Sequence, residues 1–239
     1  MRTLGLIGGM SWESTAIYYR HLNEIARERL GGLHSARLVL QSLDFAEVAE
    51  CQHQGDWGKA TILMIDAATR LALAGADALV ICTNTMHVMA DEVEAAAKRP
   101  VLHIADAAAH AVTAAGCRRP LLLATRFTME QPFYRDRLRQ RHGLDALVPE
   151  AAERERVHAI IYDELCRGVV REESKQAYLA IIRRAQAQAG IDSVILGCTE
   201  ITMLIGGDDL DLPVFDTTRL HAEAAMDFAL AAEPGRAAA

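Results

Sequence analysis

Short apolar runs alternate with long helical patterns along this chain. Leu4-Gly5-Leu6-Ile7 and Leu121-Leu122-Leu123 are too short for helices, and both read as buried first strands running into helices. The stretches 60–74 and 173–189 are rich in Ala and Leu at helical spacing. Each leads into a glycine, Gly75 or Gly190, at a helix C-cap position, and then into an apolar strand. Pro100-Val101-Leu102-His103 and Pro213-Val214-Phe215-Asp216 add a strand after each. Strands alternating with helices imply βαβ units and mainly parallel sheets.

The pattern is duplicated. The segment Gly75 to Thr85 resembles Gly190 to Glu200 at an offset of 115 residues, and the same offset pairs Tyr19-Arg20 with Tyr134-Arg135. The Pro100 and Pro213 strands repeat at an offset of 113. The expected fold is α/β, with two similar doubly wound parallel-sheet lobes related by a pseudo-twofold and a site in the cleft between them. Turn signals place lobe one at 1–98, with 209–231 returning to it, and lobe two at 99–208. The tail 232–239 has little to bury and is expected to be disordered.

Composition narrows the function. Of 239 residues, 51% are hydrophobic and 5% aromatic, which suits aliphatic strands under Ala/Leu-rich helices. A net charge of −7 argues against a nucleic-acid partner, because phosphate binding needs concentrated Lys and Arg. Arg135, Arg137, Arg139 and Arg141 read as a solvated helix. Five cysteines, an odd number without CxxC spacing, disfavour a disulfide framework and a structural zinc site, and fit reduced thiols in a cytoplasmic protein. No apolar run has the length of a signal peptide or membrane span, so no membrane partner is expected.

In parallel α/β sheets, ligands bind beyond the carboxyl ends of the strands. The residues there are Cys82-Thr83-Asn84-Thr85 and Cys198-Thr199-Glu200. The 115-residue offset superposes Thr83, not Cys82, on Cys198, and a one-residue slip in extended chain reverses side-chain direction, so Cys82 should point away from the site. Two equivalent strand ends facing each other would put two proton carriers on opposite faces of one small molecule. A helix N-terminus after the strand would lower the Cys198 pKa toward a thiolate. The plainer alternative makes Cys198 a small buried hydrophobe. Thr83, Asn84, Thr85 and Thr199 either cap helices or free backbone N–H groups to hold a carboxylate.

Other features are weaker. Gly8-Gly9-Met10-Ser11-Trp12 reads as a close-approach turn that could face a ligand, but it lacks GxGxxG and the P-loop lysine. His103, Asp106 and His110 invite a metal reading against the ordinary one of a polar helix face, and no metal is expected. His87 is expected to tune or cap its loop.

At these residues the sequence resembles the aspartate/glutamate racemase superfamily over nearly its whole length, and most of all its enterobacterial L-aspartate/glutamate-specific, broad-specificity amino-acid racemases. The motifs are Gly8 to Ser14, Cys82 to His87, Ala124 to Met129, Gly197 to Glu200 and Pro213 to Asp216. The family usually has cysteine immediately before Asn-Thr, whereas Thr83 stands there in this chain. The resemblance implies Cys198 and Thr83 as the two acid/base groups. It also implies Met10, Gln52, Asn84, Thr85, Thr128, Thr199 and Glu200 as substrate contacts, no cofactor, an amino-acid substrate such as aspartate or glutamate, and a homodimer. A threonine hydroxyl is a weak acid and a poor base, so the racemase is expected to be L-selective. Arg126, Arg154, Arg156 and His53 are the candidate cations for a distal carboxylate. The competing readings are a decarboxylase or cis-trans isomerase of the same superfamily, or an amino-acid-binding protein whose site has decayed.

Overall fold

The computed structural model describes residues 1–231, so the tail at 232–239 lies outside the described residues. The chain forms two compact units. The first holds Met1–Cys82, Met89–Leu102 and the described part of His221–Ala239; the second holds Thr83–Val88 and His103–Leu220.

In the first unit, β1 (Leu4–Gly8), β2 (Leu38–Ser42) and β3 (Ala78–Ile81) form a parallel sheet of order β2-β1-β3. A parallel bridge from Leu79 to Val101 adds a fourth position beside β3. Every residue of β1 and β3 is buried, as expected for parallel strands covered on both faces. The helices are α1 (Trp12–Leu30), α2 (Phe45–Gln54), α3 (Trp57–Leu73) and α4 (Ala90–Ala97). Ser11 and Asp44 cap the first two, each accepting a hydrogen bond from a backbone N–H of the first turn. Leu4, Leu6, Tyr18, Leu22 and Val80 share a core with Ala222, Ala225 and Met226 of the C-terminal helix, Thr217–Leu230.

In the second unit, β4 (Pro120–Leu123), β5 (Ser193–Leu196) and β6 (Val214–Asp216) form a parallel sheet of order β4-β5-β6. A parallel bridge from Leu121 to Leu147 adds a position outside β4. The helices are α5 (Ile104–Ala114), α6 (Arg126–Glu130), α7 (Pro132–His142), α8 (Ala151–Asp163) and α9 (Glu172–Ala189), with the C-terminal helix as α10. Each sheet therefore has the same doubly wound order, the duplication read from the sequence. Among the described residues, no helix is long and apolar enough to cross a membrane.

The structure corrects one echo. Leu4 pairs with Ala78 as Pro120 pairs with Ser193, so the first strands repeat at an offset of 116. The helices that follow keep this extra residue. Tyr18 and Tyr134 are both fully buried, whereas Tyr19 is 57% exposed, so Tyr18 is the counterpart of Tyr134. Neighbouring helical residues point about 100° apart, and only one of two adjacent tyrosines can enter the core. The arginine cluster is also not wholly solvated. Arg137 makes a two-pronged ion pair with Asp106, with both contacts at 2.7 Å, and His142 Nε2 lies 2.9 Å from the same carboxylate. Burial alone would raise the Asp106 pKa, but these hydrogen bonds and charges outweigh it and hold the carboxyl below its usual range.

His221, buried in the first unit, gives a pH-dependent stability. Its Nε2 lies 2.6 Å from the Leu102 carbonyl oxygen, which can only accept, so Nε2 carries the proton. Nδ1 then accepts from the Tyr18 hydroxyl at 2.8 Å. Burial pushes the pKa down to about 4 and outweighs the opposing effect of the Leu102 hydrogen bond. The unfolded chain therefore binds a proton near pH 6.5 that the folded chain refuses until about pH 4. Stability should fall by about 3 kcal/mol as pH drops through that window. Urea unfolding at pH 7 and pH 4.5 checks this, with His221→Gln expected to lose much less across the interval. Parallel losses in both proteins would remove His221 as the cause.

Candidate active site

β3 ends at Ile81 and β5 at Leu196, and Thr83 and Cys198 each lie two residues further on. The intervening positions are Cys82 and Gly197. Cys82 is fully buried in the core of the first unit, and burial pushes its thiol pKa far up, so it is inert. Gly197 has no Cβ because one would stand 2.9 Å from the Leu122 side chain and 3.0 Å from Ala124. Its N–H donates to the Leu123 carbonyl at 2.7 Å, which ties the end of β5 to that of β4.

Cys198 is half-buried, and its Sγ lies 3.0 Å from Glu200 Oε2. Burial raises the thiol pKa well above its ordinary value, and the Glu200 carboxylate and then the Cys166 thiol add to the effect. This reverses the expected lowering. The segment after Cys198 is a five-residue 3-10 turn, Thr199–Met203, rather than an α-helix whose N-terminus would favour a thiolate. The resting side chain is a thiol that donates its proton toward a carboxylate. Tyr162 is within electrostatic reach of both: burial, and then Cys198 once it has lost its proton, raise its phenol pKa.

The segment 83–88 is held from several sides. His87 Nε2 accepts from the Ile104 N–H at 3.2 Å, so its Nδ1 carries the proton and donates to the Thr83 carbonyl at 2.8 Å. His87 is therefore neutral here and caps the loop. Thr85 Oγ1 lies 3.1 Å from Thr125 Oγ1 and 3.0 Å from Thr128 Oγ1. The Asn84 side-chain amide donates to Thr217 Oγ1 at 3.1 Å, and Thr217 donates to the Leu196 carbonyl at 2.8 Å. Thr199 accepts from Thr218 at 3.2 Å. Hydroxyls at the start of α10 thus bind the polar residues after β5 and the segment that carries Asn84.

Asn84, Thr85, Thr128, Thr199 and Glu200, with Thr83 and Cys198, all belong to the second unit. Met10 and Gln52 belong to the first, where each is 5% exposed. The sequence reading missed Thr125, Tyr162, Thr217 and Thr218. Thr125 had a signal, since it lies in the motif Ala124 to Met129, and so did Thr217 and Thr218, which follow the duplicated Pro213 strand as Ile104 and Ala105 follow the Pro100 strand.

Several alternative uses are already taken. The Gly8-Gly9 turn closes on its own chain: Gly9 N–H donates to Thr15 Oγ1 at 2.8 Å, and Leu43 N–H donates to the Gly8 carbonyl at 2.9 Å. His103 caps α5 by accepting from the Ala105 N–H, and Asp106 holds Arg137. Among the described residues, no group of three or more His, Cys, Asp or Glu side chains is placed to hold a metal ion. Of the candidate cations, Arg126 pairs with Glu155 at 3.4 Å and Arg154 with Glu130 at 3.1 Å, while Arg156 and His53 are exposed.

Duplicated strand ends, one with a thiol on a carboxylate and one with a hydroxyl, agree with a sequence match. The model of the Asp/Glu/hydantoin racemase family matches residues 7–225. The chain belongs to this family. A Yersinia pestis protein assigned to the Asp/Glu racemases is similar at 51% identity, with 97% of this chain and 100% of that chain covered and a TM-score of 0.91. An aspartate racemase homologue from Pyrococcus horikoshii OT3 shares 34% identity over 96% of this chain and 99% of its own, with a TM-score of 0.83. Unliganded arylmalonate decarboxylase shares only the fold, at 14% identity over 98% of this chain and 97% of its own, with a TM-score of 0.51. The racemase fold thus also carries other chemistry, and substrate and mechanism have to be argued from residues.

Proposed function

We propose that this racemase-family protein is a cytoplasmic, cofactor-independent amino-acid racemase of the aspartate/glutamate type that moves the Cα proton with Cys198 and Thr83 on opposite faces of the substrate. The observation that carries the reading is the Cys198–Glu200 pair at a strand end whose duplicate presents Thr83. Glu200 relays the thiol proton to solvent, the resulting thiolate removes the α-proton of the L-amino acid, and the Thr83 hydroxyl returns a proton from the other face. Solvent then restores the Thr83 proton. Met10, Gln52, Asn84, Thr85, Thr128, Thr199 and Glu200 are the proposed substrate contacts, and the working form is a homodimer. Hydrogen-bond donors around the site stabilise the carboxylate charge that develops as the α-proton leaves.

The test is α-proton exchange in deuterium oxide, followed by NMR and chiral analysis, with L- and D-aspartate and L- and D-glutamate. Exchange accompanied by the opposite enantiomer is expected; no exchange with any of the four overturns the reading, and carbon dioxide release from a malonate would point to decarboxylation.

The two faces should behave differently. Enantiomers have an equilibrium constant of one, so kcat/KM is equal in both directions and the asymmetry must appear in exchange relative to inversion. With an L-substrate, Cys198 abstracts and often returns a solvent-derived deuteron to the same face. Exchange should then exceed inversion by about tenfold, because a hydroxyl lacks much of the roughly 10²–10⁴-fold gain that a tuned acid/base supplies. Thr83→Cys should bring the ratio near that measured with the D-substrate. An unchanged ratio would remove Thr83 from the proton path.

A further inference from the structure

Asn84 stands between Thr83 and Thr85 and is 5% exposed. Its Nδ2 donates to Thr217 Oγ1 at 3.1 Å. The single proton of that hydroxyl is already given to the Leu196 carbonyl at 2.8 Å, and a carbonyl has no proton to offer in return. Thr217 can therefore only accept from Asn84. The amide is not free to turn: its NH2 end must face Thr217, and Oδ1 is held at the opposite side, buried and without a hydrogen-bond partner. Buried acceptors are seldom left unpaired in folded proteins, and one at a strand-end site waits for a donor to arrive.

We propose that Thr217 is a positioning residue that orients the Asn84 amide so that Oδ1 receives the α-ammonium of the substrate. The proposal rests on the reading of residues 83–85 as substrate contacts and adds the chemical group they select. An ammonium has three donors and no acceptor, the complement of a lone buried oxygen. The reversed amide would present two donors and suit a carboxylate instead. Thr217, fully buried at the start of α10, thereby sets the preference for an amino acid over an acid that carries no α-nitrogen.

The discriminating ligands are L-aspartate and L-glutamate against succinate and glutarate, which lack only the ammonium. Calorimetric titration of the full-length wild-type protein should find each amino acid bound at least about tenfold more tightly than its nitrogen-free counterpart. Thr217→Val removes the hydroxyl at nearly constant volume and frees the amide, and the ratio should fall to within about threefold. Thr217→Ser should restore it. A general loosening of packing would weaken both ligands together and leave the ratio intact. Equal affinities in the wild type, an undiminished ratio in Thr217→Val, or no binding of any of the four compounds would overturn the proposal. If the valine variant does not fold, the wild-type ratio still decides the role of Oδ1, and Thr217→Ala serves as the second hydroxyl-free protein. Solvent exchange measured on the same wild-type sample separates the two levels: an intact ratio without exchange leaves the ammonium site standing and removes the racemase.

Discussion

Cys198→Ala should lower deuterium exchange at Cα of L-aspartate and L-glutamate by about a thousandfold, since a positioned acid/base group contributes roughly 10²–10⁴-fold and alanine supplies no substitute. Binding should change little, because the thiol is paired with Glu200 at rest, at an Sγ to Oε2 distance of 3.0 Å. The loss belongs in kcat. The pH profile carries the signature of the neighbouring carboxylate. Burial and the Glu200 charge raise the thiol pKa, so the base form of Cys198 is scarce at neutral pH. Wild-type kcat/KM should keep rising with pH through the ordinary thiol range instead of levelling there, and Cys198→Ala should lose that dependence along with the rate. Exchange measured from pH 6 to 10 tests both points. A variant that retains more than about a tenth of the wild-type exchange would assign the proton transfer to another group.

Gly9→Ala should cost more than about 3 kcal/mol of stability and yield a largely unfolded chain. Two penalties add. Gly9 sits at a φ of +88°, where an L side chain is disfavoured by about 1–2 kcal/mol. A Cβ there would also stand 2.1 Å from the Leu43 carbonyl oxygen and 2.6 Å from its nitrogen, so the backbone after β2 would have to move. That backbone is bound to the Gly8 carbonyl, and its displacement would open the ends of β1 and β2 together. Gly31→Ala is the control: it has a φ of +74° but nothing within 4 Å of a new Cβ, so only the conformational penalty applies. Urea midpoints of the two variants should differ by the cost of the clash. Equal midpoints would mean that the turn yields easily and that Gly9 serves something other than close approach.

Both predictions concern positions that the amino-acid pattern singled out, yet their physical basis came from different levels. The Gly8-Gly9 turn was legible as a close approach, but not what approached it: the partner is Leu43 of the same chain, more than thirty residues away. Thr83 and Cys198 were legible as equivalent because both follow buried strands of matching length, and the parallel registers of β3 and β5 place them alike. The protonation of Cys198 was not. A helix N-terminus was expected where a short 3-10 turn stands, and the nearest charge is a carboxylate two residues away.

Hydrophobic period and repetition by themselves determined the α/β class, the two parallel sheets, the strand ends and the inward burial of Cys82. These follow from local spacing, since burying one face of a strand or helix leaves a mark every two or every three to four residues. Only the tertiary structure decided that Tyr18 rather than Tyr19 fills the core, that Arg137 is held by Asp106, that His87 is a neutral cap, and that Thr217 turns the Asn84 amide. Each depends on one hydrogen bond or one helical rotation between distant parts of the chain. Such contacts have no period, so they leave no trace in the sequence until the fold brings the partners within about 3 Å of each other.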